Sequence, residues 1–195
     1  NMAYTIKDVF YLSTSATIAS GTANGGSAQL DLSAYIDPIA RGRQKGTGLA
    51  VYKVHFSMGS SSNANPIDDA EVGTCRFGLI AGFSSGDNAT GAITGTSATY
   101  SMENDNLIAS GDFYGPKSMV ANASTTPTMF NGNPESQYVS PSTEVPYVIV
   151  RDSVGLIYEV GDNFTSEALL SVRLSCAQIS LDQATLNQLL RTQTV

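Results

Sequence analysis

Apolar and polar residues alternate through Leu49-Ala50-Val51-Tyr52-Lys53-Val54-His55-Phe56-Ser57-Met58. The even-numbered positions of this stretch are all apolar, and Lys53, His55 and Ser57 share the opposite face. Successive side chains of a β-strand point to opposite sides, so a period of two is the mark of a strand. The stretch predicts a strand that turns one face toward a core and the other toward solvent.

The same period recurs along the chain and predicts an all-β domain. In residues 168–179 the even positions are apolar as far as Cys176, and the odd positions of 77–83 form a third alternating set. Further strand candidates are 4–12, 28–32, 98–102, 107–113, 147–151 and 156–160. We predict a tight hairpin around Asp152-Ser153, with Val154-Gly155 closing the turn.

Long polar connections separate the predicted strands. The turn-rich segments are 21–27, 59–66, 84–95 and 124–146. The last segment holds four prolines, and proline is excluded from central strands. A chain of 195 residues supplies one well-formed core, so we predict a single domain over 1–195.

Only the C-terminal segment, 180–193, has a helical pattern. Ser180 is the predicted N-cap, and Gln183 stands three residues later in a capping box. Leu186, Leu189 and Leu190 then lie on one side at helical spacing. A short helix of this kind must pack on something, either its own domain or a neighbouring subunit.

The charge of the chain argues against duplex binding. Charged residues make up 14% of the sequence, and the formal net charge is −7. The most basic stretch contains Arg41, Arg43 and Lys45, three of the ten cations. This stretch either contacts phosphate or an acidic partner, or is a solvated connection between strands.

No apolar run in the sequence is as long as a membrane span.

The residue types needed for catalysis are scarce. His55 is the only histidine, and it alternates with Lys53 and Ser57 on the polar face of a predicted strand. Asp68, Asp69 and Glu71 form an acidic cluster that could bind calcium, but its spacing lacks the calcium-loop pattern, and a solvated turn is the simpler interpretation. We therefore predict no enzyme activity, no catalytic residue, no cofactor and no metal site.

Two cysteines and three glycosylation sequons leave the compartment open. Cys75 and Cys176 each lie in an apolar stretch. They either form a disulfide with each other or remain as two buried free thiols. The sequons begin at Asn88, Asn122 and Asn163, all in or beside predicted loops.

The strand count, the long polar loops and the short terminal helix resemble the single jelly-roll capsid proteins of small icosahedral viruses. Residues 30–38, leading through the basic link 41–45 into 49–58, look like the entry into such a shell domain. The resemblance implies an antiparallel β-sandwich of the jelly-roll type with about eight strands. It also implies a capsid subunit of the virion that binds copies of itself and, in some particles, other capsid proteins.

The resemblance places subunit contacts in the loops and the terminal helix. The candidates are Met129, Phe130 and Tyr138 in the proline-rich loop, the loop 59–66, and Leu186, Leu189 and Leu190. Many capsid proteins of this kind have a strongly basic N-terminal arm. No such arm is present in this sequence, so we expect weak or no direct contact with nucleic acid.

Two other functions fit the same pattern. The first is a secreted or cell-surface binding module, such as an adhesin or a carbohydrate-binding domain, for which nine tyrosines offer binding surfaces. The second is a glycan-cleaving enzyme, which would need two carboxylates facing each other across a groove. A sandwich fold by itself does not choose among these functions.

Overall fold

The fold is seen in a computed structural model, which describes residues 9–21, 25–37, 45–82, 99–119 and 135–193. The described part holds nine strands and one α-helix. In chain order they are β1 (Phe10–Ile18), β2 (Gly26–Asp31), β3 (Lys45–Ser60), β4 (Thr74–Ala81), β5 (Leu107–Tyr114), β6 (Glu135–Val139), β7 (Tyr147–Ile149), β8 (Ser153–Val160), β9 (Ala168–Asp182) and α1 (Gln183–Thr192).

The strands form two antiparallel sheets. The first sheet has the order β1-β9-β3-β7, and the second sheet has the order β2-β8-β4-β5-β6. Four of the strand pairs are nested along the chain: β1 with β9, β2 with β8, β3 with β7, and β4 with β5. The two halves of the chain are therefore arranged as one long hairpin. When this hairpin wraps into a sandwich, β3 also pairs with β9, and β4 also pairs with β8.

This nested pairing is the strand arrangement of a jelly roll, in which two sheets close on one core. The predicted antiparallel β-sandwich with a short C-terminal helix is confirmed. β6 is added to the eight nested strands at the outer edge of the second sheet, where it pairs with β5. It lies inside the proline-rich connection, and its edge position agrees with the exclusion of proline from central strands.

The main core lies between the two sheets. Val172 and Leu174 of β9 are buried in it, which confirms the face predicted for this strand. Phe77 of the second sheet is also buried, and its ring centroid lies 4.6 Å from that of Phe56 in the first sheet. Each fully buried side chain of this size stabilises the fold by about 1.5–3 kcal/mol.

The two faces of β3 differ from the prediction at the middle of the strand. The register with β9 shifts between Val51 and Lys53, so Tyr52 is an extra residue in a β-bulge. Val51 lies in the core between the sheets, whereas Ala50 and Tyr52 lie in a second apolar cluster on the outer face. The prediction that all even positions of 49–58 face one side is therefore wrong, because an extra residue reverses the alternation.

Two local predictions at strand ends are also wrong. No hairpin forms around Asp152-Ser153, because β7 belongs to the first sheet and β8 to the second. A short turn between two apolar segments looks the same in the sequence whether it joins paired strands or crosses between sheets. Residues 99–102 of the predicted strand 98–102 form a turn, in which the N–H of Asn104 donates to the carbonyl of Ser101.

The helix begins later than predicted and packs on its own domain. β9 continues through Ser180 to Asp182, whose side chain accepts a hydrogen bond of 2.7 Å from the N–H of Thr185. Asp182 is therefore the N-cap, and the prediction of Ser180 is wrong. Leu186 is buried in the outer apolar cluster of the first sheet, together with Ala50 and its neighbours.

Polar contacts fix the end of the helix against β7. Arg151 donates hydrogen bonds of 3.1 Å to the carbonyls of Leu190 and Gln193. The Gln193 side chain accepts from the N–H of Val150 and donates to the carbonyl of Val148. The helix is therefore an integral part of the sandwich and covers one half of the outer face of the first sheet.

Candidate functional site

A polar cluster lies on the outer face of the second sheet. Arg76 of β4 is opposite Asp112 of β5 and opposite Glu159 of β8. The chain neighbours of Arg76, Cys75 and Phe77, point the other way and are buried in the core. Alternation along three adjacent strands thus brings one cation and two carboxylates onto one face.

Arg76 and Asp112 form an ion pair across the strands. The Nε atom of Arg76 donates to Oδ1 of Asp112 at 2.8 Å, and Nη2 donates to Oδ2 at 3.4 Å. The hydroxyl of Tyr114 donates to the same Oδ2 at 3.3 Å. The Asp112 side chain is only 7% exposed, whereas that of Arg76 is 53% exposed. The guanidinium and the phenol hold the carboxylate in one orientation.

A turn over residues 99–106 carries Tyr100 onto the same face. Its ring packs against a small apolar cluster that includes Ile80 and Ile157. Gly78 leaves room for the ring, because a Cβ atom at this position would lie 3.3 Å from Cε1 of Tyr100. The missing side chain of Gly78 therefore helps to set the position of Tyr100 over the sheet.

The hydroxyl of Tyr100 is buried and has no hydrogen-bond partner among the described residues. Burial raises the pKa of Tyr100 above its ordinary value, and the carboxylate of Glu159 adds to this shift. The hydroxyl is therefore protonated at neutral pH and is able both to donate and to accept a hydrogen bond. A buried hydroxyl without a hydrogen-bond partner costs about 1–3 kcal/mol of stability.

These side chains line a cavity of about 340 Å³, which we call the outer cleft. Its walls come from β4, β5, β8 and the 99–106 turn, and Thr74 and Gly161 lie at one end. An adjoining recess of about 260 Å³ shares Arg76, Tyr100 and Asp112 with it. The size is that of small-molecule sites in proteins, and the lining combines aromatic rings with a few oriented polar groups.

Glu71 lies three residues before the start of β4, and its environment differs from the prediction. Asp68 and Asp69 are exposed, as expected of a solvated turn, but Glu71 is only 1% exposed. One carboxylate oxygen, Oε1, accepts from the N–H groups of Val72 at 3.0 Å and Gly73 at 2.8 Å. The prediction of a solvated side chain at Glu71 is therefore wrong.

The same carboxylate reaches across to the connection between β8 and β9. Oε1 accepts from the N–H of Thr165 at 2.8 Å, and Oε2 accepts from the Thr165 hydroxyl at 2.8 Å and from the N–H of Ser166 at 3.2 Å. Burial alone would raise the pKa of Glu71, but the hydrogen bonds from Thr165, Gly73 and Ser166 outweigh it and lower the pKa. Glu71 therefore joins two loops through a charged, fully hydrogen-bonded carboxylate.

The uncovered half of the outer face of the first sheet is polar. Lys53 and His55 are exposed on β3, as predicted, and His55 is directly opposite Arg173 of β9. Arg173 in turn lies over the ring of Tyr11 on β1, 5.6 Å from its centroid. Ser and Thr hydroxyls fill the rest of this face, and His55 has no acidic residue opposite it in the described register.

The described residues contain no group of three or more His, Cys, Asp or Glu side chains that could hold a metal ion. Cys75 and Cys176 are buried and are not joined in a disulfide. Burial raises the pKa of the Cys176 thiol to about 12. Of the two alternatives for the cysteines, the structure shows the buried thiols.

The structure describes only some of the predicted contact residues. Leu186 is buried in its own domain, whereas Leu189 and Leu190 are half-buried, and their role as subunit contacts stays a prediction. Lys45 is the first residue of β3, and Tyr138 lies in β6. The remaining candidates lie outside the described residues: Arg41, Arg43, Met129 and Phe130.

Of the three sequons, those at Asn88 and Asn122 also lie outside the described residues. Asn163 is exposed, and its side chain donates to the carbonyl of Gly21 at 3.4 Å. The next two residues are engaged as well, since Phe164 is buried in the core and Thr165 binds Glu71.

The outer cleft was not found in the sequence. Arg76, Tyr100 and Glu159 are far apart along the chain, and each has the appearance of an ordinary surface residue. The one available signal was the polar position Asp112 inside the apolar strand 107–113, which needed a partner.

No protein-family model matches the chain, and no curated protein matches it. Within the described residues, no helix is both long enough and apolar enough to cross a membrane.

Proposed function

We propose that the chain is a structural subunit that assembles with copies of itself into a closed protein shell, as a jelly-roll capsid protein does. The fold is compatible with this role, since jelly rolls build many viral capsids, but they also build lectin domains. The choice between these functions depends on the surface of the sandwich and not on the fold alone.

The edge strand β1 is the observation that carries the proposal. It runs over nine residues, Phe10–Ile18, without a charged residue or a proline, and its register with β9 has no bulge. It is an outer strand of the first sheet, and the described part of the chain places no further strand beside it. Monomeric β proteins usually protect such edges with Lys, Pro or a bulge, because an unprotected edge recruits another chain.

Exposed apolar side chains on and beside β1 suit a strand edge that a neighbouring subunit covers in an assembly. Tyr11 is 66% exposed on the outer side, and Val9 just before the strand is 51% exposed. Near the other end the carbonyl of Thr17 accepts a hydrogen bond of 3.1 Å from the Tyr158 hydroxyl. The half of the strand around Tyr11 and Ser13 is therefore the one offered to a neighbour.

The proposal is tested by the native mass of the purified chain, measured by light scattering and electron microscopy at moderate salt. We expect uniform closed particles. Replacing Ser13 and Ser15 by Lys adds two charges to the exposed side of β1 and should leave folded subunits that do not assemble. A matched control is Ser57→Lys, which adds a charge to the same face on β3 and should still give particles.

A monomer at every concentration, salt and pH would refute the shell proposal. Particles that form equally well with Lys at positions 13 and 15 would refute β1 as a subunit contact, but not the shell itself. A monomer would favour the second candidate, a secreted or cell-surface binding module, for which the outer cleft is the supporting observation.

A further inference from the structure

We infer that the outer cleft binds a neutral saccharide. Its cavity of about 340 Å³ has room for one or two sugar rings. Sugars present many hydroxyls that both donate and accept, and they need oriented polar partners together with an apolar surface. The outer cleft offers both, and the cluster that lines it is not explained by the shell proposal.

The Tyr100 hydroxyl is the first polar partner. It is buried and without a partner among the described residues, and the Tyr100 side chain is one of those that line the outer cleft. A sugar hydroxyl that reaches it would supply the missing hydrogen bond. Asp112 is the second partner, since its carboxylate is fixed by Arg76 and Tyr114 and an oxygen of a carboxylate accepts more than one hydrogen bond.

The charge of the outer cleft disfavours an anionic ligand. Arg76 contributes one positive charge, and Asp112 and Glu159 contribute two negative charges, so the cluster has no surplus of positive charge. An acidic sugar would meet both carboxylates, and the guanidinium that could attract it is already bound to Asp112. A neutral diol avoids this repulsion and uses the same donors and acceptors.

The apolar surface comes from side chains at the rim. Tyr114 is 38% exposed at the wall of the outer cleft, and Met102 is 74% exposed beside the adjoining recess. The C–H face of a sugar ring packs well on such side chains, and tyrosine supplies a polar atom at the edge of the ring. Exposed apolar side chains beside oriented polar groups are typical of a ligand site.

Binding is tested by NMR titration of the native chain, and of the Ser13→Lys, Ser15→Lys variant if the native chain forms particles, with the methyl glycosides of glucose, galactose and mannose, and with N-acetylglucosamine. We expect saturable shifts at residues of the outer cleft with at least one of them. Sialic acid and methylammonium serve as charged probes and should give no saturable shift. Saturation by methylammonium alone would replace the inference with a cation site.

The variant Tyr100→Phe gives a sharper test, because it removes only the hydroxyl. We expect the affinity for the sugar to fall by about threefold to tenfold. The same variant should raise the Tm of the unliganded chain by about 2–4 °C, because an unsatisfied buried group is removed. Tyr11→Phe on the first sheet is the matched control and should change neither quantity.

Two results would overturn the inference: no saturable shift with any of the four sugars, or a lower Tm for Tyr100→Phe. Neither result depends on assembly, since native mass is measured separately. A chain that forms particles but binds no sugar would refute only the inference, and a monomer that binds sugar would refute only the shell proposal.

Discussion

Replacing Glu71 by Gln tests whether one buried carboxylate joins two loops. The carboxylate accepts five hydrogen bonds, from Val72, Gly73, Thr165 (two) and Ser166. The amide of Gln has the same shape but only one accepting oxygen. Its NH₂ group would face the N–H of Ser166, so two hydrogen-bond donors would point at each other with no acceptor between them.

The expected loss follows from these contacts. A hydrogen bond to a charged group stabilises a protein by about 1.5–3 kcal/mol, and a neutral one by about 0.5–1.5 kcal/mol. Three bonds at Oε1 are weakened and the bond from Ser166 is lost, while the lower cost of burying an uncharged amide offsets part of this. We expect a net loss of about 3 kcal/mol, which corresponds to a fall in Tm of about 6–12 °C for a chain of this size.

The pH dependence gives an independent signature. The pKa of Glu71 is lowered in the folded state, so the folded carboxylate holds its charge more strongly than the unfolded one. Its stabilisation is fully present above the unfolded pKa of about 4.3 and is lost as the pH falls through the lower folded pKa. The difference in stability between wild type and Glu71→Gln should therefore be largest near neutral pH and should shrink in acid.

The assay is urea unfolding followed by circular dichroism between pH 7 and pH 3. Asp69→Asn is the matched control, because Asp69 is exposed in the same turn, and we expect a change within about 0.5 kcal/mol. A Glu71→Gln midpoint equal to that of wild type would refute the role of Glu71. A difference that stays constant down to pH 3 would show that the carboxylate charge is not its cause.

Three further outcomes follow from the core. Val172→Asp or Leu174→Asp should abolish folding, because each buries an unpaired charge between the sheets; a near-normal melting curve by circular dichroism would contradict the assignment of this face. Leu186→Ala should cost about 2–5 kcal/mol in urea unfolding, because it leaves a cavity under α1; a negligible cost would mean that the helix is not docked there. Cys75 and Cys176 should both stay unreactive toward a thiol reagent at pH 8 and react together in denaturant, and rapid labelling of the native chain would show that either thiol is accessible.

Periodicity predicted most of the strands because burial of one face leaves a trace in the sequence. The alternation in β9 correctly placed Val172 and Leu174 in the core. The alternation predicted the wrong face for part of β3, where Tyr52 is an extra residue in a bulge. Apolar residues occur on both sides of this bulge, so the sequence of 49–58 does not reveal the reversal. The apolar residues there face two different clusters, and a list of residue types does not say which cluster each one joins.

The capping and turn signals in the sequence predicted local structure only in part, for a related reason. Ser180 and Asp182 are both good N-caps, and the choice was made by the length of β9, which keeps Ser180 in a ladder with β3. The turn at Asp152-Ser153 was recognised, but its role depended on which strands its neighbours pair with. β8 pairs with β2 and β4, which are distant along the chain.

By itself the sequence determined an all-β domain with one terminal helix, a low density of charge and few residues for catalysis, since these depend on composition and local period. Only the tertiary structure decided the nested strand order, the burial of Glu71 and the meeting of Arg76, Tyr100, Asp112 and Glu159 in the outer cleft. The physical reason is that strand pairing in a jelly roll joins residues far apart along the chain. A side chain's environment then depends on neighbours that no local pattern identifies.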